Sequence, residues 1–530
     1  MLSEKKLNAV EPWVADQGDG TFINPVLHAD YSDPDVIRVG DDFYMTASSF
    51  SHIPGLPILH SKDLVNWTII NYAIPRMDLP GYEKPQHGNG VWAPSIRYQD
   101  GKFWIFYGDP DVGIFMTTAD DPAGEWAPLH LVQEGKGLID ACPFWDDDGE
   151  AYLVHAYANS RCGIKHRLRI CRMSPDGTRL LDEGQIVFED VEHHPTMEGP
   201  KMYKRGGYYY IFAPAGGVAT GWQTILRSRN VFGPYEDKVV LHQGDSEVNG
   251  PHQGAWVELE SGESWFVHFQ DKDAYGRIIH LQPVQWSDDW PLMGADSNGD
   301  GIGEPVLRHK KPNVGRTYPI AVPATSDEFE VPALGLQWQW QCNPQPDWHS
   351  LTERAGHLRL YTYPLPDDAA TLYDAPQLLL QKFPAPAFEV TVKLEPGRLE
   401  EGGLAGLVVF GYSFAYLGIR RSGEELLLIQ AEGDAEQEKA VWESQEKGET
   451  FYLRVTVTGN AACSFSFSGD GEQFISIHAP VFAARECRWV GAKVGLFAIQ
   501  TVKDGDAGYV DADWFRVTAV PNSPGDDSHD

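Results

Sequence analysis

The stretch SDPDVIRVGDDFYMTASS, Ser32 to Ser49, decides the fold, because its design returns four times. The others are VWAPSIRYQDGKFWIFYG from Val91, IDACPFWDDDGEAYLVHA from Ile139, MEGPKMYKRGGYYYIFAP from Met197 and GPHQGAWVELESGESWFVHFQ from Gly250. Each opens on a polar or aromatic residue, runs extended, turns through glycine and continues as an aromatic-rich strand. Gly-Asp-Asp, Gln-Asp-Gly, Asp-Asp-Gly, Arg-Gly-Gly and Ser-Gly-Glu supply the turns, since Gly and Asp tolerate the positive φ of tight hairpins. The lead residues Asp33, Trp92, Asp140, Glu198 and His252 stand 59, 48, 58 and 54 residues apart, enough for one four-stranded sheet each. That period predicts a β-propeller of five blades over residues 21–322. In a propeller the innermost strands start beside one axis, so five leads remote in sequence converge on one funnel.

Outward from the repeats, residues 1–20 read as an N-terminal extension. After Val322 the repeat stops, and PATSDEFEVPALG links to about ten short strand-like runs. Leu358 and Leu360 alternate with Arg359, and Tyr452 and Val455 are set against Arg454 and Thr456, as half-buried strands require. Residues 323–520 are therefore expected to form a jelly-roll-like β-sandwich, and residues 521–530 a disordered tail. The fold class is all-β. Asp296-Ser297-Asn298-Gly299-Asp300-Gly301 mimics the start of an EF-hand loop, but position twelve is Leu307, so a polar hairpin is the better reading.

Composition narrows the function. Against 42 Lys+Arg stand 76 Asp+Glu, a net −34 over 530 residues. Such a field repels phosphate backbones and anionic lipid, which excludes nucleic acid and membrane surfaces as partners. A neutral or cationic substrate fits, and 17 Trp with 22 Tyr suit stacking on sugar rings. Six Cys without a CxxC pair give neither a zinc nor a redox framework. The first twenty residues lack the apolar core of a signal peptide and no run of about 18 apolar residues occurs, so a cytoplasmic protein is expected.

Three leads are carboxylates: Asp33, Asp140 and Glu198. Brought together in a funnel they repel one another and raise at least one pKa, giving a protonated acid beside an ionised partner. Glycoside hydrolysis is the common reaction built on such a pair. Trp92 is placed to stack on a sugar or to fill a blade core. His252 is placed to bind a metal or to hydrogen-bond across the axis.

These segments resemble glycoside hydrolase family 43. The resemblance is carried by Asn24-Pro25-Val26-Leu27, Ser32-Asp33-Pro34-Asp35, Gly40-Asp41-Asp42-Phe43-Tyr44, Ser48-Ser49-Phe50, Pro54-Gly55, and the run from His60 to Trp67. Trp92-Ala93-Pro94, Glu198-Gly199-Pro200 and Gly276-Arg277 extend it. It implies that Asp33 is the general base, Glu198 the general acid, and Asp140 the carboxylate that tunes and orients the acid. Cys142 separates Ala141 from Pro143 where the family commonly has proline directly after the aspartate. It further implies that Arg277 binds substrate hydroxyls, that Phe50 and Trp92 wall a single-sugar pocket, and that the sandwich extends a loop over the funnel. Catalysis needs no cofactor on this reading. His252 is either a ligand of a structural calcium at the axis, directly or through water, or a satisfied structural histidine. The expected activity is inverting exo-hydrolysis, releasing β-D-xylose and/or α-L-arabinofuranose from xylan-derived oligosaccharides, by a monomer or a homo-oligomer. Two other readings stand beside it: a non-catalytic carbohydrate-binding propeller, and a related five-bladed furanosidase with another substrate.

Overall fold

In the computed structural model, which describes residues 11–502 and 507–520, each of the five repeats becomes a four-stranded antiparallel sheet. Blade one comprises Asp35–Val39, Asp42–Thr46, Gly55–Ser61 and Trp67–Ile74. Blade two comprises Trp92–Gln99, Lys102–Asp109, Gly113–Ala119 and His130–Glu134, and blade three Leu138–Trp145, Ala151–Tyr157, Arg167–Met173 and Gln185–Glu189. Blade four is Lys201–Arg205, Tyr208–Ala215, Trp222–Ser228 and Glu236–Leu241; blade five is His252–Glu258, Ser264–Asp271, Arg277–Ser287 and Trp290–Met293. The first hairpins follow the turn chemistry: Asp100 and Gly101 both have positive φ (51° and 78°), as do Gly206 and Gly207 (58° and 77°).

A second regularity lies in the backbone. At the entry to each inner strand one residue has positive φ: Asp33 (56°), Ala93 (39°), Asp140 (59°), Gly199 (59°) and Gln253 (35°). Register shifts interrupt the first strand pair at this point in blades two, three and five. Only Asp33 and Asp140 occupy the kink itself. Trp92, Glu198 and His252 stand one residue before it, so the five leads are not structurally equivalent.

Each blade is built from four consecutive strands. Closure comes from Thr21–Ile23 pairing with Arg308–Lys310, and from Asn24, whose Nδ2 donates to the carbonyls of Leu281 and Val306 while its Oδ1 accepts the Leu281 N–H. The acidic segment at Asp296 lies in the loop between blade five and that pair, where the Asp296 carboxylate accepts the N–H groups of Gly299 and Gly301.

Beyond the linker stand two eight-stranded sheets. One runs Gln339–Trp340, Leu378–Lys382, Lys493–Gln500, Gly403–Phe410, Ser413–Ser422, Glu425–Asp434, Glu438–Glu446, with Tyr363–Pro364 pairing onto Lys493–Gln500 as the eighth; the second is centred on Tyr509–Ala519 and Phe388–Arg398. Val494, Leu496 and Ala498 point into the core between the sheets, while Phe497 and Ile499 join a cluster that includes Phe50 of the propeller. That strand is buried on both faces and so shows no alternation in sequence. In Phe451–Thr458 the inward set is Phe451, Leu453, Val455 and Val457; Tyr452 lies on the outer side with Arg454 and Thr456, because a period of two puts 452 with 454. The expected tail, residues 521–530, and the first ten residues of the extension fall outside the described residues.

The domains are joined through backbone as well as side chains. Trp340 and Ile53 exchange two backbone hydrogen bonds, and Asn343 bridges Met77 and Tyr82. The Tyr275 hydroxyl donates to the Pro386 carbonyl and accepts the Ala461 N–H.

Candidate active site

The kink before blade one turns Asp33 into the funnel, 6% exposed. Aspartate tolerates the left-handed region better than most residues, and the strain is retained because three donors fix the side chain. Ser32 Oγ and Ser48 Oγ donate to Oδ2 at 2.7 and 2.6 Å, and an Arg277 guanidinium nitrogen donates to Oδ1 at 3.0 Å. Ser48 Oγ in turn accepts the Ala93 N–H at 2.7 Å, tying the base loop to blade two. A carboxylate has about four acceptor positions. Three are filled, and the fourth, on Oδ1, has no partner among the described residues.

Asp140 is 4% exposed and accepts the Gly199 N–H at 2.7 Å. Gly199 allows this approach: its φ is +59°, and a Cβ there would stand 2.6 Å from the Gln253 side chain. Burial pushes the Asp140 carboxyl up to about 8, reinforced by the charges of Glu198 and Asp33. Glu198 is the more open of the three, its side chain 27% exposed against 9% for Asp33. Its Oε1 meets His252 Nε2 at 3.2 Å.

Beneath them lies an ion network that the sequence reading did not single out. Asp35, fully buried, accepts from Arg97 at 2.7 Å and from the Ile96 N–H at 2.8 Å. Lys201, also fully buried, donates to the Pro94 carbonyl and Ser95 Oγ and stands 3.8 Å from Asp35. The funnel thus holds four carboxyls, Asp33, Asp35, Asp140 and Glu198, against three cations, Arg97, Lys201 and Arg277. One proton on Asp140, whose carboxyl is pushed up, makes the set neutral. Asp35 sits in the quoted motif, two residues after Asp33; Lys201 carries no signal beyond its place three residues after Glu198.

His252 is fully buried, and its Nδ1 has no partner. Calcium takes six to eight oxygens. Among the described residues the only His/Cys/Asp/Glu group close enough to hold an ion is His357, Glu395 and Asp513 in the sandwich. That group lies in the sandwich, away from His252, whose Nε2 meets Glu198 and whose Nδ1 is left open.

Phe50, with φ 52°, bridges Val91 through two backbone bonds, and its ring lies 6.4 Å from Trp92. Trp92 donates its indole N–H to the Gly88 carbonyl. The sandwich contributes the remaining wall. Its Cys487–Val490 turn places Trp489 5.9 Å from the Trp92 ring and 5.8 Å from the Arg277 guanidinium. Asp30 fastens this loop: Oδ1 accepts the Arg277 N–H and Oδ2 the Gly491 N–H, at 2.9 and 3.0 Å. Burial opposes the Arg277 charge, but Asp33, Asp271, Asp30 and Glu198 outweigh it and raise its pKa. Phe50, Trp92 and Arg277 are thus brought together as the sequence suggested; Trp489, Asp30, Ser32 and Ser48 were missed.

Known proteins share this layout. Residues 22–291 match the model of glycosyl hydrolases family 43, and residues 326–518 match that of the β-xylosidase C-terminal concanavalin A-like domain. The chain belongs to glycosyl hydrolase family 43. It is 42% identical to a putative β-xylosidase of Xylanibacter ruminicola over 91% of its length and 86% of the relative's. It is 32% identical to a non-reducing-end α-L-arabinofuranosidase of Bacteroides ovatus over 64% and 65% of the two chains. The crystal structure of a xylan β-1,4-xylosidase from Bacillus halodurans superposes with a TM-score of 0.82 at 25% identity, covering 94% of this chain and 99% of that one. This family 43 chain is accordingly a glycoside hydrolase, with the propeller carrying its carboxylates and the sandwich its Trp489 wall.

Proposed function

We propose that the enzyme removes single β-D-xylose or α-L-arabinofuranose units from the non-reducing ends of xylan-derived oligosaccharides, with inversion. The observation that carries this reading is the unequal treatment of the three carboxyls. Asp33 has donors on three of its acceptor positions and none on the fourth, which suits a general base. Glu198 is the more open carboxyl and has one oxygen held by His252, leaving the other for the departing glycosidic oxygen.

Asp140 holds the acid in two ways. It accepts the N–H of the residue after Glu198, fixing the backbone that aims the acid, and in its protonated form it places no second negative charge beside the acid. With the imidazole hydrogen on Nε2, His252 donates to Glu198 Oε1, so the transferable proton is on the opposite oxygen. In the reaction, water on Asp33 attacks the anomeric carbon as Glu198 protonates the leaving oxygen. Inverting enzymes separate such groups by about 6.5–9.5 Å, so that water fits beneath the sugar. Arg277, fixed at both ends by Asp33 and Asp30, presents its guanidinium to sugar hydroxyls between Trp489 and Phe269. Phe50, Trp92 and Trp489 form a wall suited to one chain end, which supports exo-action.

Hydrolysis of paired aryl β-xyloside and aryl α-L-arabinofuranoside, with chromatography of xylo-oligosaccharide digests, tests the reading. Monosaccharide release from chain ends is expected. Internal cleavage to mixed oligomers, or inertness toward both glycosides, would overturn it.

A further inference from the structure

The loop of residues 158–166 joins Ala151–Tyr157 to Arg167–Met173 in blade three. Leu138 and Ile139 pair with Tyr157 and Ala156, so the loop leaves the blade on the face where Asp140 enters it. It is tied down at both ends. At one end Arg161 donates to Asp111 at 3.0 Å and to Asn89 Oδ1 at 2.8 Å, and its guanidinium lies 5.7 Å from the Trp92 ring. At the other end His166, with φ 64°, accepts the Thr196 N–H on Nδ1. Thr196 stands two residues before Glu198. The loop therefore runs from the Trp92 wall to the segment that carries the acid. Because the acid protonates the leaving oxygen, groups beside that segment border the space of the leaving group.

The bond to Thr196 fixes the state of the His166 ring. A ring nitrogen that accepts a hydrogen bond carries no hydrogen, so the imidazole is neutral with its hydrogen on Nε2. Burial and the Lys165 charge act in the same sense, holding the ring's pKa below the usual histidine value against the opposing charges of Glu189 and Glu198. The ring is half-buried, and its Nε2–H meets no acceptor among the described residues. The histidines next along the approach to the acid differ in this respect: His193 Nδ1 meets Asp190 and His194 Nε2 meets Asp237, each at 2.9 Å. His166 alone of the three thus holds out an uncommitted donor whose direction is set by backbone leading to Glu198. A donor of that kind matches a sugar hydroxyl.

We propose that His166 determines specificity on the leaving-group side, donating its Nε2–H to a hydroxyl of the sugar that departs. The assignment rests on the xylose-releasing reading above. Xylobiose and methyl β-D-xyloside test it: both release an alkoxide and so both depend on Glu198, but only xylobiose has hydroxyls on its leaving group. His166→Asn puts Oδ1 in place of Nδ1 as acceptor for the Thr196 N–H, tolerates the left-handed φ, and removes the Nε2–H. Its kcat/KM is expected to fall about 3–10-fold further on xylobiose than on methyl xyloside, as the loss of one neutral hydrogen bond gives. Equal losses on the two, which displacement of Glu198 alone would give, would overturn the proposal, and so would no loss on either. Crystals of the full Asp33→Asn chain with xylobiose test it independently of whether His166→Asn folds. The reducing-end xylose is expected to place a hydroxyl within hydrogen-bond distance of His166 Nε2; a reducing-end xylose seated away from His166 would overturn the proposal. Inertness of the wild type toward both glycosides would overturn the xylose-releasing reading itself, and this assignment with it.

Discussion

Asp33, with three acceptor positions filled and one free, sets the first prediction. Asp33→Asn leaves the Ser32, Ser48 and Arg277 neighbours in place but removes the base, and kcat on aryl glycosides is expected to fall by about 10²–10⁴-fold while the Tm stays near wild type. A folded variant with undiminished kcat would contradict the assignment. Glu198→Gln separates acid from base by leaving group. A nitrophenolate departs without a proton whereas a sugar alkoxide does not, so the loss is expected to be far larger on xylobiose than on nitrophenyl xyloside. Asp140 predicts a pH dependence. Its carboxyl is near 4 when unfolded and pushed up to about 8 when folded, so the folded state binds the extra proton between these values and stability declines as pH rises through that window. Asp140→Asn keeps an acceptor for the Gly199 N–H and cannot ionise. Its Tm is expected to fall less than the wild type's from pH 5 to 8, and its turnover is expected to be lower. For the wild type, turnover is expected to decline above about pH 8 as Asp140 loses its proton and sets a second negative charge beside the acid. At this scale Asp33, Asp140, Glu198 and Arg277 were legible because chemistry restricts them to few residue types. Ser32 and Ser48 were not, since a serine gives no sign of which carboxylate it will meet.

At the scale of elements, the turn signals announced the blades, and the spacing announced their number. Sequence placed five leads in one register; the backbone places its kink at Asp33, Ala93, Asp140, Gly199 and Gln253. Side-chain type had been followed, whereas the repeat is one of φ, which alanine, glycine or glutamine satisfies here as well as a catalytic residue. The loop bearing Trp489 was illegible for a different reason. Its position depends on Asp30 and Ala274, more than 200 residues away in sequence, and no local pattern encodes that docking. Trp489→Ala is expected to raise the KM for xylosides several-fold with a smaller change in kcat, because a ring beside Trp92 and Arg277 bears on sugar binding rather than on the transferred proton. An unchanged KM would remove Trp489 from the pocket.

For the molecule as a whole, the balance of −34 marks a solvated acidic surface, and the chemistry rests on a handful of buried charges that nearly cancel. The two domains exchange backbone hydrogen bonds at Trp340 and Ile53 and at Ala492 and Ala274, so calorimetry is expected to show one cooperative transition; two resolved transitions would contradict that coupling. The domain order was readable because the repeat ends abruptly; that the sandwich reaches over the funnel came only from the family resemblance, and which residue does so was not legible, since an interface between two all-β units carries no motif. The central claim is that water held by Asp33 displaces the leaving group while Glu198 protonates it. Proton NMR of a β-xyloside digest, recorded before mutarotation, tests this most directly: α-xylose is expected to appear first, and β-xylose as the first product would contradict Asp33 as the base.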